Sequence, residues 1–294
     1  MKRYYFFSEL LIDYRKFYNL SQLEFANNIN VDLRTVQRWE KDLTLISSDK
    51  EEDFVLETLM PYQLVRNLNA KVPIPTFYDF KIRKYSLDEL TNDLPKAEWF
   101  KEHINLKSKQ LRHIDFDFDK KYLRKFIRKA KKDSHIFNEG LLKQATILLP
   151  ELNNILTSES GFYTGHSIIL PLKESSYQKL KNRTINNKDL DESDLVDFRN
   201  QGKPIFYSYD ISADCNYTYY YLATAFLRFF KEHDQTDYLF CTYSDRDDGY
   251  ELNQQAGLSV IWEDKELQKV LGTKYPPRFM EGNYRKFLAD LINT

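Results

Sequence analysis

Residues 20–42 read LSQLEFANNINVDLRTVQRWEKD, and this stretch decides how the first part of the chain folds. Its apolar residues follow helical spacing on both sides of an interruption at Asn30. Ser21 and Asp32 suit the starts of two helices, because their side-chain oxygens accept hydrogen bonds from free N–H groups there. Asparagine tolerates the left-handed conformation that a sharp turn between the helices needs. The sequence therefore predicts two short helices joined by a tight turn, a helix-turn-helix.

The same stretch carries a family pattern in nine positions, which are Leu20, Ser21, Gln22, Ala26, Val31, Thr35, Val36, Trp39 and Glu40. With these residues it resembles the XRE family of helix-turn-helix repressors. The departures from the family pattern, Phe25, Asn30, Asp32 and Gln37, leave the turn intact. The resemblance implies a regulator that binds double-stranded DNA at paired half-sites as a homodimer. The structural alternative is an ordinary pair of core helices.

The second helix of such a motif presents its N-terminal residues to base edges in the major groove. Val36 and Trp39 are expected to face the core, so the exposed positions of this helix become candidates for base contacts. Arginine suits guanine and glutamine suits adenine, and Asp32 either accepts from cytosine or caps the helix. The resemblance places Gln22 at a backbone phosphate. The expected DNA-binding residues are Gln22, Asp32, Leu33, Arg34, Thr35, Gln37, Arg38 and Lys41.

The composition limits the possible functions. The 294 residues include 43 basic and 44 acidic ones, for a net charge of −1, so DNA binding must depend on local patches. The two cysteines lack metal-ligand spacing and the five histidines are scattered, so we expect no metal site. No apolar run is long enough for a signal peptide or a membrane span. We therefore expect a cytoplasmic protein with no membrane partner.

The pattern along the chain predicts a multidomain protein. An all-α helix-turn-helix domain is expected over 1–69, with a first helix over 7–18 and two helices separated by Pro61. Residues 70–110 are expected to form a connector. The stretch 120–132, KKYLRKFIRKAKK, reads as a basic amphipathic helix that either binds DNA phosphates or an acidic ligand, or is simply a solvated helix face. A further helix is expected over about 138–155.

From residue 160 onward, strand and helix patterns alternate, which predicts an α/β domain with a mixed central sheet over 111–294. The expected strands lie in GHSIILPL, PIFYSYDIS, YLFCTYS and GLSVIWED, and the expected helices lie in SSYQKLKN, KDLDESDLVDF, YTYYYLATAFLRFFKEH and GYELNQQA.

With the phrases GHSIILPLKESSYQKL, PIFYSYDIS, YLATAFLRFFKE and NQQAGLSV, this domain resembles the GNAT acyltransferases. In that family a glycine-rich loop and a helix N-terminus hold the pyrophosphate of acetyl-CoA. The corresponding segment here has neither glycine nor arginine, and consists of Asp214, Cys215, Asn216, Tyr217, Thr218 and Tyr219. The domain has therefore lost coenzyme A binding, or takes another ligand, or is aligned with the family in the wrong register. We expect no cofactor, and the alternative is acetyl-CoA or another acyl-CoA.

The resemblance also suggests catalytic candidates. Tyr250 is a candidate general acid for a departing thiolate, or else packs in the sheet. Glu174, Asp210 and His166 are candidate acid–base groups. The leading hypothesis is a sequence-specific DNA-binding transcriptional regulator that acts as a repressor. Its GNAT-like domain is expected to sense a small-molecule or protein effector or to form the dimer. The alternative is an acetyl-CoA-dependent N-acyltransferase with a DNA-targeting head.

Overall fold

The computed structural model describes residues 1–89, 93–130, 137–233 and 237–292 of an α+β protein. The chain divides into two compact units. The first unit comprises Met1–Asn92 with Asp214–Asn216, and the second unit comprises Asp93–Ala213 with Tyr217–Thr294. The expected connector, 70–110, is therefore divided between the two units.

Five helices form most of the first unit. The expected helix over 7–18, the two helices of the 20–42 stretch and the two helices around Pro61 are all present. The N–H groups at the start of α2 are capped by Ser21, and Pro61 immediately precedes α5. The helices are α1 (Phe7–Phe17), α2 (Gln22–Asn28), α3 (Leu33–Trp39), α4 (Ser48–Thr58) and α5 (Tyr62–Leu68).

The first unit also contains a three-stranded antiparallel sheet, so the expectation of an all-α N-terminal domain is wrong. Its strands are β1 (Lys2–Tyr4), β2 (Thr76–Asp79) and β3 (Lys84–Ser86), in the order β1-β2-β3. The sheet packs on α1 through aromatic rings, since Phe80, directly after β2, lies 5.3 Å from Phe17 and 6.3 Å from Tyr14 between ring centroids. Strands β1 and β2 pair residues more than seventy positions apart, a contact that no local sequence pattern can indicate.

The second unit is built on a seven-stranded mixed sheet with the order β4-β5-β6-β7-β8-β10-β9. The β7–β8 pair is parallel and the other neighbours are antiparallel. In chain order the elements are α6 (Ala97–Glu102), β4 (Leu111–His113), α7 (Phe116–Ala130), α8 (Glu139–Leu148), β5 (Asn154–Thr157), β6 (Tyr163–Leu172), α9 (Glu174–Lys181), β7 (Ile205–Ala213), α10 (Asn216–Glu232), β8 (Leu239–Ser244), α11 (Tyr250–Gln255), β9 (Leu258–Glu263), α12 (Lys265–Leu271), β10 (Arg278–Gly282) and α13 (Arg285–Ile292).

All four strands expected after residue 160 are present, but several other expectations need correction. The helix expected over 138–155 ends at Leu148, and Asn154–Thr157 is strand β5 instead. Buried Asn153 fixes this change of direction, because its amide donates to the carbonyls of Leu149 and Ile169. The KDLDESDLVDF segment forms only short 3-10 turns. The basic helix is present as α7, and the last two residues of its expected range, 131–132, lie outside the described residues.

The core of the second unit is aromatic, and α10 supplies much of it. Phe229 and Phe230 pack edge-on against Phe206 of β7, at centroid distances of 5.7 and 5.3 Å. Each fully buried ring of this size contributes on the order of 1.5–3 kcal/mol of transfer free energy. This packing fixes α10 against the sheet beside the place where β7 and β8 are neighbours.

Candidate functional site

The turn between α2 and α3 is held by local hydrogen bonds. The Ser21 side chain accepts from the N–H of Glu24, whose carboxylate accepts in return from the N–H of Ser21. Asn30 has the left-handed conformation, with φ of +53°. Asp32 accepts from the N–H and the hydroxyl of Thr35, both at 2.9 Å, and these bonds lower the pKa of its carboxyl. The Asp32 carboxylate therefore caps α3.

The outward side of α3 carries most of the residues expected to bind DNA. Asp32, Leu33, Arg34, Arg38 and Lys41 are exposed. Among the described residues, the side chains of Arg34, Arg38 and Lys41 form neither an ion pair nor a hydrogen bond. These three cations are therefore available to an anionic partner.

The remaining candidates, Gln22, Thr35 and Gln37, are half-buried. Gln22 donates to the Glu40 carboxylate at 2.5 Å, and Gln37 donates to the Gln22 carbonyl oxygen at 3.4 Å. Arg15 of α1 donates to the other Glu40 oxygen, also at 2.5 Å. Glu40 therefore joins α1, α2 and the end of α3, and it fixes the orientation of the Gln22 amide.

The inward side of α2 and α3 is packed against the rest of the first unit. Val36 and Trp39 are buried as expected, and the Trp39 ring meets Phe54 of α4 edge-on at 6.5 Å. Ala26 is also buried. Leu23, which the apolar pattern of α2 included, is instead 55% exposed. The helix pair is thus anchored on one side and leaves its other side to solvent.

A cavity of about 500 Å³ lies in the second unit, where β7 and β8 part. The two strands pair over 205–208 and 239–242. Beyond Ser208 and Thr242, β7 continues along β6, and β8 continues along β10. The cavity is lined by 208–211 and 242–246 at this opening, together with residues of α10 and α11. Such an opening between parallel strands is a common place for a ligand in α/β sheets.

The polar lining of the cavity is mainly acidic. Asp210, Asp245 and Asp248 contribute three carboxylates against one guanidinium, that of Arg246. Arg246 donates twice to the Asp248 carboxylate, at 2.9 and 2.6 Å.

Uncharged polar groups also face the cavity. In the described part of the chain, the hydroxyls of Ser208 and Thr242 and the amide of Asn253 make no side-chain hydrogen bond. Sequence reasoning missed Ser208, Thr242 and the Arg246–Asp248 pair, because no motif joins residues of these separate elements.

Two of the expected acid–base candidates are brought together beside the cavity. His166 is fully buried, and its Nε2 lies 3.3 Å from the Asp210 carboxylate. Its Nδ1 lies 2.6 Å from the hydroxyl of Tyr163. A carboxylate can only accept, so the His166 Nε2 that faces Asp210 carries a proton and donates to it. Glu174 lies outside the residues that line the cavity, at the exposed start of α9.

The segment expected at a cofactor pyrophosphate leads into α10. Asp214, Asn216 and Thr218 are buried and Cys215 is half-buried. Tyr217 is 71% exposed, whereas Tyr219 lines the cavity. Burial raises the pKa of the Tyr219 hydroxyl, and the Asp248 charge adds to this effect. A tyrosine ring therefore occupies one wall of the cavity next to the start of α10.

Tyr250, the candidate general acid, begins α11 but is not among the residues that line the cavity. Its ring lies under the Arg278 guanidinium at 4.2 Å and beside Tyr275 at 4.6 Å. Arg278 is buried and donates to the carbonyls of Pro276 and Arg246. The ring contacts favour a packing role for Tyr250. The hydrogen bond from Arg278 to the Arg246 carbonyl holds the loop that carries Arg246.

Neither thiol has a disulfide partner, and burial raises the pKa of the Cys241 thiol. Within the described ranges, the structure groups no set of histidine, cysteine and carboxylate side chains suited to a metal ion. In the same ranges no helix combines the length and apolar character needed to cross a membrane.

Comparison with known proteins finds no matching family model, no matching curated protein and no matching solved structure.

Proposed function

We propose that this protein is a sequence-specific DNA-binding transcriptional regulator whose first unit reads DNA with an XRE-type helix-turn-helix. The observation that carries the proposal is the pair α2 and α3, joined by a left-handed residue at Asn30 and anchored by buried Val36 and Trp39. That arrangement leaves Arg34 and Arg38 exposed on α3, a helix of seven residues, and Lys41 exposed just after its end. Arginine at such positions suits guanine edges and phosphates.

A single short helix contacts few base pairs, so useful specificity requires two half-sites. We therefore propose that the protein acts as a homodimer on paired half-sites. Repression would follow from occlusion of the site by the bound protein.

The second unit supports the idea of an effector domain with a GNAT-like fold. Strand β7 leads through a short segment into the 17-residue helix α10, the order that the resemblance implies. The cavity beside these elements has the volume of a small-molecule site. We propose that an effector bound in this cavity controls DNA binding.

Coenzyme A does not fit the residues present. A pyrophosphate requires exposed N–H groups or free cations, whereas the cavity has three carboxylates and its one arginine is tied to Asp248. Tyr219, in the segment that the resemblance aligns with the glycine-rich loop, also puts a bulky ring into the cavity wall. We therefore derive no acyl transfer through this site.

The first experiment selects bound duplexes from a random pool with the full chain, followed by affinity measurements on the enriched sequence. Arg38→Ala should weaken binding by about 5- to 150-fold, equivalent to about 1–3 kcal/mol, and relax the preference at one base position. Lys16→Ala is the matched control, because it removes one exposed positive charge from α1 of the same unit. Absence of any enriched sequence would contradict base readout by α3. An unchanged sequence preference in both Arg38→Ala and Gln37→Ala would contradict it as well.

The acyltransferase alternative is tested by calorimetry with acetyl-CoA. The parted strands and the cavity are the observations in its favour. We expect no saturable binding, because of the carboxylate lining. A saturable isotherm that disappears in Ala223→Phe, which fills the cavity, would show that the second unit is an acyl-CoA site after all.

A further inference from the structure

Helix α7 has an apolar side that the second unit already uses. Leu123 and Phe126 are buried, and the Phe126 ring meets the His166 ring edge-on at 5.2 Å. The Tyr122 ring lies parallel to that of Tyr163 at 6.2 Å. The packed side of α7 is therefore not free to bind anything else.

The opposite side of α7 is strongly basic. Lys121 and Arg124 are exposed, and neither forms an ion pair with any described residue. Both lie near aromatic rings, with the Lys121 ammonium 4.9 Å from the Tyr122 centroid and the Arg124 guanidinium 5.9 Å from that of Phe137. Lys120 differs, because it pairs with Glu139 at 3.3 Å. Two cations on α7 thus have no counter-charge among the residues that the structure describes.

The sequence around these two residues is far more basic than the chain as a whole. Residues 120–132 contain eight lysines and arginines and no acidic residue, in a chain whose net charge is −1. Like charges this close repel one another, so the segment is stabilised by an anionic partner more than by solvent alone. A regular array of negative charge is the partner that such a helix face fits.

Two anionic surfaces present such an array, duplex DNA and an acidic membrane. A helix that lies in a membrane surface inserts its apolar side among the lipids, and that side of α7 is buried in the protein instead. The DNA backbone needs only the charged side. The structure therefore favours DNA.

We propose that the outer face of α7, with Lys121 and Arg124, binds phosphates of duplex DNA and adds sequence-independent affinity. This inference rests on the proposed DNA-binding function and names a second surface for the same partner. Each phosphate contact contributes about 0.9 to the slope of log affinity against log salt concentration. Loss of both contacts should therefore lower the magnitude of the slope by up to about 1.8. The ratio of native to variant affinity should then fall by up to about 12-fold as the salt concentration rises from about 50 to 200 mM.

The test measures binding of the full chain to the selected duplex and to a random duplex across that salt range. The variant is Lys121→Gln with Arg124→Gln. Its control is Lys265→Gln with Lys269→Gln, which removes two exposed charges from α12 of the same unit. A charge-conserving variant, Lys121→Arg with Arg124→Lys, should keep the native slope. Circular dichroism of each variant checks that the protein remains folded.

We expect the slope to fall on both duplexes in the glutamine variant alone. An unchanged slope in that variant, with native binding intact, overturns the role of α7 and leaves the proposed function standing. Absence of binding by the native protein to either duplex overturns the proposed function itself. Binding of the native protein to phosphatidylserine vesicles, abolished by the glutamine variant while the DNA slope stays constant, would assign α7 to a membrane surface instead.

Discussion

Replacing Glu40 with alanine removes the carboxylate that joins three elements of the first unit. The Glu40 side chain is 7% exposed and its partner Arg15 is 15% exposed, so the variant leaves a guanidinium with little access to water. Truncation of one partner of a buried ion pair costs about 3–5 kcal/mol. Because Arg15 keeps some contact with solvent, we expect the lower limit, about 3 kcal/mol.

Hydrogen exchange of the α2 and α3 amides, followed by mass spectrometry on the full chain, measures this loss in the first unit by itself. A loss of about 3 kcal/mol accelerates exchange through unfolding of the unit by about 160-fold. Lys2→Ala is the control, because its pair with Asp13 is 58% exposed on the lysine side. Such a pair contributes at most about 1 kcal/mol, or roughly fivefold in exchange.

A double variant separates the lost charge pair from lost packing. Arg15→Met combined with Glu40→Leu removes both charges and retains the apolar volume, so it should recover most of the protection. If Glu40→Ala accelerates exchange by no more than the Lys2 control, the carboxylate does not hold the three helices together, and the reasoning fails.

Gly165→Ala should destabilise the second unit by about 1–3 kcal/mol, because a Cβ there would lie 2.3 Å from the Ser212 main-chain oxygen. Urea denaturation measures this loss, with Gly202→Ala as the control because the space around Gly202 is open. Asn30→Ala should cost about 1–2 kcal/mol because φ is +53° there, and Asn30→Gly should not, as differential scanning calorimetry would show. Stability should fall above about pH 10, because the unfolded chain then releases tyrosine protons. The folded chain retains them where burial raises the hydroxyl pKa, so each such tyrosine stabilises fully below about pH 10 and loses about 1.4 kcal/mol per pH unit above it. Urea titrations between about pH 9 and 11 measure that slope, and a flat profile would exclude this role for Tyr207, Tyr238 and Tyr284.

The helices of the first unit could be predicted because their signals are local. Ser21, Asn30 and Asp32 each act within three or four residues of themselves, through caps and a left-handed turn. The sheet was missed for the opposite reason. A three-residue strand such as Lys2–Tyr4 is too short to show alternation, and its partner lies beyond all five helices.

In the second unit, the long strands and α10 were visible as apolar runs, whereas the end of α8 was not recognised. Pro150 was a local signal against a helix through 155, since proline lacks the N–H that a helix interior needs. The buried Asn153 completes the change by bonding to Ile169 of β6, sixteen residues away. Similarly, Arg278–Gly282 acquires its strand structure from pairing with both β8 and β9.

The candidate residues divide in the same way. Arg34 and Arg38 could be placed on the exposed side of α3 from helical spacing alone. His166 and Asp210 were candidates without a partner, because their contact depends on the antiparallel register that sets Ile168 opposite Asp210. Tyr250 was chosen by its place in a family pattern, and Arg278, which covers its ring, lies on strand β10, more than twenty residues further along the chain.

The opening between β7 and β8 has a cause that does not depend on any cofactor. Only four residue pairs hold these parallel strands together, and each strand then follows its other neighbour. The fold therefore creates a gap with hydrogen-bonding edges in any sequence that adopts it, and side chains decide what enters. Here Asp210, Asp245 and Asp248 make that entrance unfavourable to phosphates. Under the proposed function, the same carboxylates favour a cationic effector over an anionic one. Exchange of Asp245 for asparagine should then weaken the affinity for a cationic effector and leave the affinity of the effector-free protein for DNA unaltered.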